Sequence, residues 1–110
     1  MTQASLGKIL SALAGIEAVL AHRQGGRADD EALLEFRRLC WETLLLVDDA
    51  ECQAQIDLLV QHAKELYSDG DAGRVEAVRG KIRGALHALQ TRLRALEGGY
   101  GKRWRDLRAA

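Results

Sequence analysis

The residues of this sequence that could carry chemistry are three histidines, two cysteines and a few paired carboxylates. His62 and Glu65 have the spacing of a di-iron helical pair, but in reverse order and once only, whereas such a centre needs Glu-x-x-His on two helices. His22, His62 and His87 each lack a second ligand one helical turn away, so no zinc site is expected. Asp69 and Asp71 open like a calcium loop, but Gly73 and Arg74 stand where a further ligand and the turn glycine belong. Ser68 to Gly73 (SDGDAG) therefore reads as a turn. Gly80 followed by Lys81 lacks the earlier glycine and the strand of a phosphate loop. Asp29 with Asp30, and Asp48 with Asp49, fall at predicted helix starts, where the positive end of the helix dipole accounts for them. The expectation is a non-enzyme with no catalytic, metal or cofactor residues.

Cys40 and Cys52 lie among apolar neighbours and are too few for a disulfide framework. They read as reduced core residues of a cytoplasmic protein. Glu17 projects on the same side of its helix as Leu10 and Leu13, where a buried carboxylate would need a partner such as an arginine of the last helix. The plainer expectation is a carboxylate reaching out from the rim.

Composition and periodicity set the frame that positions these residues. With 110 residues, 47% hydrophobic, 29% charged and no proline, the chain suits one domain of long helices. The most apolar run, Ile9 to Ala21, is thirteen residues long, too short for a bilayer that needs about 20. It also carries Glu17 and follows only Lys8, which argues against an export signal.

A first helix is predicted over 3–24, with Leu6, Ile9, Leu10, Leu13, Ile16 and Leu20 on one face and Gly25 and Gly26 ending it. A second, capped by Asp29 or Asp30, runs to Val47. Leu33, Leu34, Phe36, Leu39, Cys40, Trp41, Leu44, Leu45, Leu46 and Val47 leave it only a narrow strip of Glu31, Glu35, Arg38 and Glu42, so it should be the most buried. Asp48 with Glu51 has capping-box spacing and starts a third helix, although nothing forces a break before it. Cys52, Ile56, Leu59, Ala63 and Leu66 form its inner face. The fourth, over 72–97, carries Val75, Val78, Ile82, Leu86, Leu89, Leu93 and Leu96, two apolar positions per heptad. At about 39 Å it should overhang one end. The predicted fold is all-α: an antiparallel up-down four-helix bundle over 1–97 with a basic tail over 98–110, and a homodimer is expected to complete or extend it.

Two surfaces stand out. The fourth helix has a second face made of Ala77, Gly80, Gly84, Ala88, Thr91 and Ala95, matched on the first helix by Gly7, Ser11, Ala14, Gly15 and Ala18. Interior glycine costs about 1 kcal/mol against alanine, which close helix approach would explain. That approach is either first helix on fourth or a homodimer contact. The tail, GGYGKRWRDLRAA, offers Tyr100, Lys102, Arg103, Trp104, Arg105, Leu107 and Arg108 as a partner-binding segment. Gly98, Gly99 and Gly101 permit a sharp turn after the helix, and Trp104 is expected to anchor against Asp29, Asp30, Glu31 and Glu35 of this chain or a dimer mate.

Charge is divided along the chain. Residues 1–73 hold 6 basic and 13 acidic side chains, and residues 74–110 hold 10 basic and 3 acidic. Equal and opposite totals predict that the two parts neutralise each other. The outline is that of small bacterial adaptors, secretion chaperones and regulatory subunits, without a motif of any one family. A protein partner is expected, through a helix face or the tail. The alternative is nucleic-acid binding through Arg92, Arg94, Lys102, Arg103, Arg105 and Arg108, with a base stacked on Trp104, and the acidic remainder of the chain opposes it.

Overall fold

Local chemistry sets where each helix begins and ends. The computed structural model describes residues 3–109, and the side chains of residues 6–96. Helix α1 (Gln3–His22) stops before Gly25 and Gly26, whose φ values of 83° and 82° lie in the left-handed region. A Cβ on Gly25 would stand 2.5 Å from Leu66 Cδ1, so only glycine fits that corner. Helix α2 (Asp30–Leu46) is capped by Asp29, whose carboxylate accepts from the Ala32 amide at 3.1 Å.

Val47 is extended and separates α2 from α3 (Ala50–Leu66). The cap of α3 is Asp49, accepting from the Cys52 amide at 3.0 Å, one residue later than the capping-box spacing of Asp48 and Glu51 suggested. An arginine of the fourth helix holds Asp49 in that position. Helix α4 (Ala72–Ala109) starts where the Asp71 carboxylate accepts from the Arg74 amide at 2.8 Å.

The expected end of α4 near Glu97 is not observed: its backbone stays helical through Gly98, Gly99 and Gly101. Glycine weakens a helix by about 1 kcal/mol without forbidding it, and no proline removes an amide here.

The four helices form the all-α antiparallel bundle expected, with close packing of α1 on α2, α2 on α3 and α3 on α4. Its core includes Ile9, Leu13, Ile16, Phe36, Cys52, Ile56, Leu59, Ile82, Leu89 and Leu93. At one end the two loops are stitched together: the Gly26 amide donates to Leu66 O, the Asp29 amide to Tyr67 O and the Gly70 amide to Gly26 O. At the other end Arg92 meets Asp49. Helix α4 accounts for the 59 Å long axis, and the seventeen residues after Arg92 (93–109) carry it about 25 Å beyond that turn.

Candidate interaction surface

Helix α2 is apolar on two opposite faces. It buries Ala32, Phe36, Leu39, Cys40 and Thr43, yet Leu34, Trp41 and Leu45 are 71%, 60% and 68% exposed. The expectation that α2 is the most buried helix is corrected here. A helix in a four-helix bundle covers little more than half its circumference with its neighbours, and ten apolar residues exceed that arc. The signal was present in the spacing: Leu34, Arg38, Trp41 and Leu45 recur at i, i+4, i+7 and i+11, opposite Phe36. Arg38 lies within this stripe, its guanidinium bonded to Glu35 at 3.1 Å and to Glu42 at 2.6 Å. Hydrogen bonding to Arg38 holds the Glu35 carboxyl below its ordinary range.

The small-residue face of α4 is open within the chain. Ala77, Gly80, Gly84, Thr91 and Ala95 are exposed and Ala88 is half-buried. A Cβ on Gly80 or Gly84 meets nothing within 4 Å. Helix α1 does use a glycine for close approach, but toward α2: a Cβ on Gly15 would lie 3.0 Å from Leu39 Cδ2. The small faces of α1 and α4 therefore do not meet in one chain.

The side chains of the expected partner-binding residues Tyr100, Lys102, Arg103, Trp104, Arg105, Leu107 and Arg108 lie outside the described residues. Their backbone continues α4 away from the bundle, so the tail does not turn back on its own chain. Its expected acidic partners sit at the opposite end, where Arg23 reaches Asp29 at 3.5 Å and Glu31 at 3.3 Å, and Arg38 takes Glu35.

Neutralisation between the two parts of the chain is narrow. Among the described residues, the ion pairs joining 1–73 to 74–110 all involve Arg92, which reaches Asp49 at 2.9 Å and Glu51 at 3.2 Å. Arg79 instead closes the C-terminal end of α1, donating to the carbonyl oxygens of Leu20, Arg23 and Gln24 at 2.8 Å each.

The seam between α1 and α4 also holds an open groove of about 400 Å³ lined by Glu17, Leu20, Arg79, Arg83, Leu86 and His87. Glu17 lies on its rim, exposed as the plainer expectation had it, and its partner is Gln90 at 3.2 Å rather than an arginine.

Cys40 and Cys52 are buried and free, and burial pushes both thiols up to about 12. Among the described residues no three His, Cys, Asp or Glu side chains converge as metal ligands, and no helix is long and apolar enough to cross a membrane. No protein-family model, curated protein or solved structure matches the chain.

Proposed function

We propose that this chain is a non-enzymatic protein-interaction module, an adaptor, chaperone-like protein or regulatory subunit, that holds a helical segment of a protein partner against the outer stripe of α2. The observation that carries this reading is the exposure of Leu34, Trp41 and Leu45 on one helix face. Exposed apolar area costs about 25 cal/mol per Å² relative to burial, and tryptophan ringed by charged groups is a frequent anchor of protein interfaces. Glu35 and Glu42, bridged by Arg38, supply a polar edge along one side of the stripe. On this reading the working compartment is the cytoplasm, where the buried thiols stay reduced.

A photo-crosslinking amino acid placed at Leu45 in cells tests the reading. An adduct with a protein chain that disappears on Trp41→Ser, in a variant that melts like the parent, supports it. No adduct under any growth condition sinks it.

A second reading, nucleic-acid binding, draws on the basic character of α4, whose exposed Lys81 and Arg94 make no ion pair with the other three helices among the described residues. Binding of a labelled duplex that weakens steeply with salt would favour that reading instead.

A further inference from the structure

We infer that the occupant of the α2 stripe is the C-terminal segment, residues 98–110, of a second copy of this chain. The inference rests on α2 being the interaction face and names what that face holds.

Three independent features point to this pairing. The first is the continuity of α4. The residues it buries in the bundle, Val78, Ile82, Leu86, Leu89 and Leu93, lie on one helix face at i, i+3 and i+4 spacing, which the sequence continues beyond Arg92 as Leu96, Tyr100, Trp104 and Leu107. An apolar register that outlasts the bundle calls for another chain to cover it.

The second is charge. The segment 98–110 carries Lys102, Arg103, Arg105 and Arg108 against Asp106. Residues 29–49, which contain α2 and its flanks, carry seven acids and two arginines. Two such tails packed on each other would set like charges together, whereas tail on α2 is complementary in both charge and apolar surface.

The third is direction and length. In one chain α4 runs parallel to α2, since both descend from the stitched-loop end toward the Asp49 turn. A two-fold axis across the Asp49 end inverts the second copy, so each projecting α4 enters antiparallel to its mate's α2. The twelve helical residues 98–109 span about 18 Å, and Leu45 to Leu34 span about 16 Å. Both tails are used reciprocally, which gives a closed dimer rather than an open chain of copies.

The test uses full-length protein and sedimentation. The parent should have the mass of two chains. Reversing the tail (Lys102, Arg103, Arg105 and Arg108 to Glu) or the rim (Glu31, Glu35 and Glu42 to Lys) should each raise the dissociation constant by tenfold or more, on the order of 1.4 kcal/mol. Combining both reversals in one chain should restore the dimer, and a crosslinker at position 45 should map to residues 98–110 of the other chain. Helicity and melting of each variant confirm that it is folded. A parent that is monomeric, or a dimer indifferent to both reversals, overturns the inference. If the monomer's position-45 crosslinker captures a different protein, the α2 reading survives and only this pairing fails. If it captures nothing, both fail.

Discussion

Arg92 and Asp49 are joined by two parallel hydrogen bonds, Nη2 to Oδ1 at 2.9 Å and Nε to Oδ2 at 3.1 Å, and the same carboxylate caps α3 through the Cys52 amide. One side chain thus starts a helix and fastens the long helix to the turn before it. Helix α4 is positioned at both ends of the bundle by arginine, with Arg79 on the α1 carbonyls at the other end.

Asp49→Asn should therefore lower the melting temperature by several degrees, on the order of 5 °C: asparagine can still cap α3, but its amide nitrogen cannot accept from Arg92 and the charge that Arg92 needs is gone. Its pH dependence follows from the direction of the shift. The bond to Arg92, and then the Cys52 amide, hold the Asp49 carboxyl well below the usual carboxylate range. A depressed carboxyl contributes stability fully above its unfolded value of about 4 and loses it as pH falls through the folded value. Melting curves of parent and variant should stand apart at neutral pH and draw progressively together as pH falls below about 4, and a constant gap across that range contradicts the assignment.

Gly80 and Gly84 sit on an exposed face with no atom near a built Cβ. Replacing both by alanine should stabilise the folded chain by about 1 kcal/mol each, since only helix propensity changes. Urea denaturation at low protein concentration measures this. A loss of stability that grows with protein concentration instead means that the face is covered by a second chain and that glycine is needed for close approach.

Tyr67 is 3% exposed, and its hydroxyl has no hydrogen-bond partner among the described residues. Burial raises the pKa of the phenol above its ordinary value. A buried hydroxyl without a partner keeps its desolvation cost, so Tyr67→Phe should leave stability unchanged or raise it by up to about 1 kcal/mol. A drop of several kcal/mol on chemical denaturation would show that the hydroxyl is bonded after all.

The helix caps and the core were legible in the sequence because they depend on short-range chemistry: Asp29 before an apolar run, Gly25 and Gly26 after one, and leucines at heptad spacing in α4. The boundary at Asp49 rather than Asp48 was not, because a residue 43 positions away decides it. Nor was the length of α4. Gly98, Gly99 and Gly101 permit a turn but do not impose one, and local composition cannot weigh that choice. The outer stripe of α2 was missed for a third reason. Counting apolar residues on α2 gave burial, whereas their angular distribution gave two faces, and a bundle with four members has room for one of them.

The two aromatics of α2 make that division measurable. Phe36 is 0% exposed at the centre of the core, and Trp41, five residues on and on the opposite side, is 60% exposed. Phe36→Ala opens a cavity that the surrounding core side chains fill only in part, at a cost of about 3–5 kcal/mol. Trp41→Ala exchanges an exposed indole for a better helix former and should change monomer stability by less than about 0.5 kcal/mol. Denaturation by urea at protein concentrations low enough to keep the chain monomeric compares the two directly. At high concentration the order of effects on association should reverse: a folded Trp41→Ala chain loses its partner, while any Phe36→Ala molecules that remain folded keep theirs. Equal destabilisation of the dilute monomer by both substitutions would place Trp41 in the core and remove the outer stripe as a binding surface.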